Sequence, residues 1–285
     1  MKRFRPFVLW LMVAMLLSLS VMVPAAHAQL GREDRNQAIL STVLVLTLDD
    51  DLNVIARGSG STVDQRGLIL TNFHVVGDTE QETLANSDGI VAIAITRDPR
   101  KAAVPTYLGR VIRGDPALDL ALVQLFADIN GKPLQGCQKL PTYEVGDSDT
   151  LEIGDNFSIV GFPGIGGESV SFTEGSVSGF VGDGELIKTD AEINPGNSGG
   201  SAVKDDGTLV GVPTFTREGQ DGRQGKFGLV RPINLALDML ENLPAIGVSG
   251  CGSGDNQGNN QGNNQGNNQG NNSGQSEFLG FSLSA

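Results

Sequence analysis

Histidine is nearly absent from this 285-residue chain: there are two, His27 and His74. His27 lies in a segment that reads as a removable leader, so imidazole chemistry in the processed chain falls on His74. Cysteine is as scarce, with Cys137 and Cys251 alone. That excludes a Cys/His zinc cluster and a disulfide-dense scaffold. Aromatic residues make up 5% of the chain, so its cores must be filled by Val, Ile and Leu. Positive charge is short as well, with 20 Lys and Arg against 33 Asp and Glu. Such a net field excludes attraction to nucleic acid or to anionic membrane. It serves solubility and names no substrate. Beyond residue 23 no apolar run is long enough to span a bilayer.

What is present begins with a leader. Met1-Lys-Arg-Phe-Arg5 is short and basic, residues 7–23 are apolar, and Pro24-Ala-Ala-His-Ala28 has the small-residue form of a cleavage site. Residues 1–28 therefore read as a secretory signal cut before Gln29. The apolar run is near the upper length for such a signal, so an uncleaved membrane anchor is the alternative. Either way the rest of the chain is expected outside the cytoplasm, periplasmic or extracellular. An exported chain permits a disulfide, and Cys137 and Cys251 are the possible pair. The chain-entropy model gives a loop of that length roughly 4–5 kcal/mol.

Residues 43–48, 68–71, 90–95, 120–125, 157–161, 176–181, 209–212 and 227–230 are short, rich in Val and Ile, and bounded by Gly, Asp, Asn or Pro. They read as strands. Gly58-Ser-Gly-Ser61, Gly182-Asp-Gly184 and Asp205-Asp-Gly207 read as turns. Many short strands with close turns predict an all-β barrel or sandwich. One helix is predicted after Pro232, with Ile233, Leu237, Met239 and Leu240 in one stripe, Asn234 as its cap and Pro244 beyond its end. After Cys251 the composition changes: Gln257-Gly-Asn-Asn260 recurs four times without a gap, to Asn272. Residues 250–285 therefore read as a low-complexity, disordered tail.

Three segments carry chemistry. Thr71-Asn-Phe-His-Val-Val76 holds the histidine. Leu118-Asp-Leu-Ala-Leu-Val123 sets Asp119 at the head of an apolar strand, where a carboxylate is costly unless paired. Asn194-Pro-Gly-Asn-Ser-Gly-Gly200 surrounds Ser198 with glycines that let the backbone approach a substrate closely. A serine nucleophile, a histidine base and an orienting aspartate are the parts of a serine protease. The N–H groups of Gly196 and Ser198 are the natural oxyanion hole. Asp115, ahead of Pro116, is the nearest rival to Asp119 and reads as a turn residue.

Gly58-Ser-Gly-Ser61, Leu70-Thr-Asn-Phe-His-Val-Val76, Leu118-Asp-Leu-Ala-Leu122, Gly161-Phe-Pro-Gly164, Thr173-Glu-Gly-Ser-Val-Ser178 and Thr189-Asp-Ala-Glu-Ile-Asn-Pro-Gly-Asn-Ser-Gly-Gly200 together resemble the HtrA (Deg) branch of the trypsin-like serine proteases. The resemblance runs from about Val43 to Leu243. It implies two six-stranded antiparallel β-barrels over roughly 39–127 and 145–232 and a helix over 233–243, all within a protease domain over 29–249. It implies an endopeptidase of protein quality control, with protein or peptide substrates and with neither cofactor nor metal. His74, Asp119 and Ser198 would be the triad. Glu192 and the strand through Pro213, Thr214 and Phe215 would border the substrate. Residues 244–285 are too few for the peptide-binding PDZ domain usual in that family. Residues 29–45 lack the aromatics through which its trimers often pack, so the oligomeric state is left open. Ser201 stands where proline is common. Asn197 stands where digestive relatives carry an aspartate that pairs with a newly cut N-terminus, so no zymogen cut beyond signal removal is expected.

Two other readings compete. A non-catalytic or chaperone-like peptide-binding module could keep this fold, yet it has no need of an intact histidine, aspartate, serine and glycine set. A serine esterase of the α/β-hydrolase kind fits the short Gly196-x-Ser198-x-Gly200 pattern. It requires the serine ahead of the histidine, and here the order is reversed.

Overall fold

The computed structural model describes residues 30–164, 168–214, 228–241 and 243. The predicted signal peptide, the repeat tail, Phe215 and Cys251 lie outside the described residues. Two closed antiparallel barrels of six strands each make up the fold. The first is ordered β1-β2-β3-β8-β7-β6, from β1 (Thr42–Leu48), β2 (Val54–Asp64), β3 (Leu68–Thr71), β6 (Ile90–Ile95), β7 (Val104–Asp115) and β8 (Leu120–Asp128). A small ladder of β4 (Gly77–Asp78) and β5 (Thr83–Leu84) sits between β3 and β6 in the chain. The second is ordered β10-β11-β14-β13-β12-β9, from β9 (Asn156–Gly161), β10 (Ser171–Val181), β11 (Leu186–Thr189), β12 (Ser201–Lys204), β13 (Leu209–Thr214) and β14 (Gly228–Pro232). Closure leaves neither sheet with an open edge.

The period-two alternation of each strand divides its residues between two cores. Val43, Val45, Ile69, Val91, Ile93, Ala121, Val123 and Leu125 fill the first barrel, and Phe157, Ile159, Val177, Ile187, Ala202, Val210 and Val230 fill the second. The opposite faces are not solvated. Leu68, Leu70, Leu120 and Leu122 meet Val160, Val203, Leu209 and Val212 of the second barrel in a third core. All of β1 is buried for the same reason, since Leu44 and Leu46 pack with Phe162. Strands buried on both faces read as near-continuous apolar runs, which is how β1 looks apart from its two threonines and β8 apart from Gln124 and Asp128.

Gly58-Ser-Gly-Ser61 is not a turn but the middle of β2, paired with residues 42–45 of β1. A Cβ at Gly58 would stand 2.6 Å from the Val75 side chain and 3.2 Å from Ser198 O, and one at Gly60 would stand 2.6 Å from Ile69. Gly58 makes room where the barrels touch and Gly60 makes room inside the first barrel; neither reverses the chain. A further helix, α1 (Arg32–Ser41), precedes β1 and buries Ala38 and Ser41. After α2 (Phe73–Val76), the C-terminal helix is shorter than predicted. It is a 3-10 turn over Ile233–Ala236 followed by α3 (Leu237–Glu241). Asn234 lies inside that turn rather than capping it. Its side chain accepts from Ser148 N at 3.1 Å and donates to Asp147 Oδ1 at 2.7 Å, so it is spent on the connector between the barrels. Cys137, in that connector, is disulfide-bonded.

Candidate active site

Both sides of the first barrel converge on His74. β3 ends at Thr71, and the chain enters α2 through Asn72. Phe73, Val75 and Val76 belong to the barrel core, which turns His74 outward with 35% of its side chain exposed. Nearby, β7 ends at Asp115, whose Oδ1 accepts from Leu118 N at 2.9 Å, as a turn residue should. Asp119 follows with φ of 54° before β8 begins. Aspartate is one of the few residue types that tolerates this left-handed conformation.

The Asp119 carboxylate meets His74 at two donors. Oδ1 accepts from the backbone N at 2.9 Å, and the two oxygens lie 3.0 and 2.9 Å from ring Nδ1. A further hydrogen bond comes from the second barrel, where Thr214 Oγ1 donates to Oδ2 at 3.1 Å. Only 12% of the Asp119 side chain is exposed. These bonds offset the cost of burying a carboxylate. A carboxylate only accepts, so in the neutral imidazole the contact selects the tautomer with the proton on Nδ1 and the lone pair on Nε2. Asn72 Nδ2 donates to Asp119 O at 2.8 Å and ties the two segments together.

Ser198 lies between β11 and β12 and is 5% exposed. The loop before it turns at Asn194-Pro-Gly-Asn197, closed by Asn197 N on Asn194 O at 2.9 Å, with Gly196 at φ of 102°. Proline second and a positive-φ glycine third are the demands of a type II turn. Pro195 O accepts from Gly164 N at 2.9 Å. A trans peptide aims its N–H opposite to its C=O, so the Gly196 N–H faces away from Gly164. Gly199, at φ of 81°, permits the approach of the two barrels: a Cβ there would lie 2.2 Å from Thr71 Oγ1 and 3.1 Å from Asn72 N. The residue after Ser198 thus abuts the pair that leads into His74. On the other flank, Ser59 N donates to Ser198 O at 2.8 Å. Such a site can pass a proton from a hydroxyl to an imidazole while backbone N–H groups receive a developing negative oxygen.

The remaining predicted positions divide. Glu192 is exposed, its Oε1 accepting from Asn194 Nδ2 at 2.9 Å and its O from Thr173 Oγ1 at 3.1 Å. Pro213 pairs with Val230 in the β13–β14 ladder, and its O accepts from Gly199 N at 3.0 Å. Thr214, expected against substrate, gives its hydroxyl to Asp119. Sequence reasoning did not assign that contact, nor the supports given by Ser59, Thr71, Asn72 and Gly164. Local sequence carries no signal for them, because each acts on another strand or loop: Thr71 on the neighbouring strand β2, and the others on segments farther away in the chain.

Two closed six-stranded barrels, with an Asp–His pair on one and a glycine-flanked serine on the other, define the class as a trypsin-like serine protease. The comparisons agree. Residues 58–212 match the model of the trypsin-like peptidase domain. A probable periplasmic serine endoprotease DegP-like of Pseudomonas fulva is 34% identical over 203 residues, covering 67% of this chain and 35% of that protein. Serine endoprotease DegS of Salmonella typhimurium is 30% identical over 206 residues, covering 69% and 51%. The crystal structure of a serine endoprotease from Yersinia pestis matches with a TM-score of 0.55 at 27% identity, covering 73% of this chain and 64% of that one. The chain belongs to the trypsin-like peptidase family, in its HtrA (Deg) branch of serine-type endopeptidases. It spans between a third and about half the length of the curated relatives it matches.

Proposed function

We propose that this protein is an exported serine endopeptidase that hydrolyses peptide bonds in unfolded or damaged proteins. His74 Nε2 takes the proton of Ser198 Oγ as that oxygen attacks the scissile carbonyl carbon. The carbonyl oxygen becomes an oxyanion held by the N–H groups of Gly196 and Ser198. His74 returns the proton to the departing amine, leaving an acyl-enzyme and a free C-terminal fragment. Water, deprotonated by the same imidazole, then attacks the ester and restores Ser198. Asp119 fixes the tautomer and stabilises the imidazolium. Glu192, Pro213, Thr214 and Phe215 border the bound chain, and Cys137 pairs with Cys251. The word "periplasmic" in the name of the Pseudomonas fulva relative supports export by the signal over 1–28. Among the described residues no helix is long and apolar enough to cross a membrane.

The observation that carries this reading is the double grip of Asp119 on His74, at the ring and at the main chain. The test is labelling of the purified chain with a fluorophosphonate, with peptide mapping and casein hydrolysis alongside. Label on Ser198 is expected, with label and hydrolysis both lost in Ser198→Ala and in His74→Ala. A folded wild-type protein that takes no label and cuts no casein would sink the proposal.

A further inference from the structure

Two peptide planes meet at Gly196; besides the turn bond of Asn197 N to Asn194 O at 2.9 Å, which belongs to the second plane, each is held by one hydrogen bond from outside the turn. The plane before it is held where Pro195 O accepts from Gly164 N at 2.9 Å. The plane after it is held where Gly196 O accepts from Ser59 Oγ at 2.7 Å. Ser59 belongs to β2 of the other barrel. All of its polar atoms are spent at this junction. Its N donates to Ser198 O at 2.8 Å, its O accepts from Thr71 Oγ1 at 2.6 Å, and its Oγ also accepts from Phe162 N at 2.9 Å. The residue is fully buried. Glycine is as comfortable at negative as at positive φ, so nothing within Gly196 itself prevents its peptides from rotating. Rotation would turn a carbonyl, not an N–H, toward the substrate oxygen.

We infer that Ser59 is a positioning residue of the oxyanion hole. Its hydroxyl bridges Gly196 O and Phe162 N: it fixes the peptide after Gly196 directly, and it tethers the Phe162–Gly164 segment whose Gly164 N holds Pro195 O and with it the peptide that carries the Gly196 N–H. The inference rests on the reading of Ser198 as nucleophile. Removing the hydroxyl takes one partner from the part-buried Gly196 carbonyl and one from the buried Phe162 N–H, and rotation about the glycine together with a shift of the Phe162–Gly164 segment is the cheapest way to satisfy them. Ser61, two residues on along the same strand, provides the comparison. Its Oγ donates to Gly200 O at 3.1 Å and lies 2.7 Å from Ser201 Oγ. It is an equally buried hydroxyl on the same loop that does not touch the Gly196 peptides.

The experiment sets Ser59→Ala beside Ser61→Ala in the full chain. It reads kcat and KM on a peptide substrate, inhibition by a peptide boronate, the pH profile, and 15N relaxation dispersion of the Gly196 amide. For Ser59→Ala we expect kcat to fall about tenfold to a hundredfold, the scale of a weakened oxyanion donor. KM stays within about twofold, and boronate affinity falls in step with kcat. The pH midpoint stays in place because the His74–Asp119 pair is untouched, and the Gly196 amide shows exchange absent from the wild type. Ser61→Ala keeps its kcat and a quiet Gly196 amide. Equal effects of the two variants on kcat, or a raised KM with kcat intact, would overturn the inference. If the wild type itself neither cuts substrate nor binds the boronate, the protease reading fails instead. The Gly196 amide then decides positioning alone: exchange confined to Ser59→Ala supports it, and a quiet amide overturns it. Should Ser59→Ala not fold, Ser59→Cys, which keeps a side chain and weakens the bond, is judged by the same measures.

Discussion

Asp119 is served by residues from both barrels, and its contacts can be separated by substitution. Thr214→Val removes the donor on Oδ2 and leaves both His74 contacts in place. A hydrogen bond to a charged acceptor is worth roughly 1.5–3 kcal/mol, and part of that reaches the transition state, where the imidazolium needs the carboxylate most. We expect kcat to fall about tenfold with KM little changed. An unchanged kcat in steady-state assays would show that Thr214 only packs. Asn197 gives a second test. It is 2% exposed, and among the described residues its Oδ1 has no hydrogen-bond partner. Aspartate there would bury a charge with nothing to pair it, at a cost on the order of 3 kcal/mol. Asn197→Asp should therefore lower the Tm at neutral pH and recover part of the loss in acid, where the carboxylate is neutral. An equal Tm at pH 7 would contradict this. The same asparagine underlies the expectation that no zymogen cut is required, since an uncharged side chain offers a new N-terminus no ion pair.

The 3-10 turn over Ile233–Ala236 is tied to the connector by polar contacts as well as by packing. Asn234 holds Asp147 and Ser148, while Ile233, Ala236 and Met239 enter the core between the barrels. The Asn234 amide, and then the Asp149 N–H, keep the Asp147 carboxyl below its usual range. A lowered folded-state value means that the stabilisation is complete above the unfolded pKa of about 4 and is lost as pH falls through the lower folded value. Asp147→Asn should melt below the wild type at neutral pH, with the gap closing in strong acid. A gap constant from neutral to strongly acid pH in thermal melts would refute this. At this scale the sequence was partly legible. Strands such as β3 and β6 stood out because Leu-Ile-Leu and Ile-Val-Ala-Ile are apolar and β-prone with clear ends. β2 was hidden because Gly58 and Gly60 look like turn formers, although what they supply is space. β7 was hidden because Pro105, Gly109 and Gly114 interrupt it. The C-terminal helix was placed correctly and drawn too regular, since tertiary contacts of Asn234 overrode its value as a cap. His74, Asp119 and Ser198, the proposed triad, each sit in a local pattern of their own. The groups placed to support them carry no such pattern, because Ser59 and Thr214 reach their partners only where the two barrels meet, and Thr71 only once β2 and β3 pair.

The barrels are joined by hydroxyls as well as by leucines. Thr42 Oγ1 lies 2.7 Å from Tyr143 OH and 2.9 Å from Ser201 Oγ, and Tyr143 OH donates to Ala38 O at 2.7 Å. Burial pushes the Tyr143 phenol far above its usual range, so it remains a donor at every relevant pH. Ser201 thus supplies a link between barrels. Tyr143→Phe should cost about 1–2 kcal/mol, or roughly 3–6 °C in Tm, without moving kcat. A fall in kcat larger than the loss of stability explains would mean that the network governs the site as well as the seam. The division of labour between the barrels also bears on how the molecule comes into being. Synthesis runs from the N-terminus, and the first barrel can close once β8 has emerged. At that stage the imidazole and its carboxylate are assembled with no serine to activate, and the donor from Thr214 has not yet been made. On the proposed function, a half-made molecule therefore has no serine with which to cut its siblings, which are unfolded chains of the kind proposed as its substrate. Cutting power arrives in one step, when the second half docks, so each copy is harmless until it is itself no longer prey.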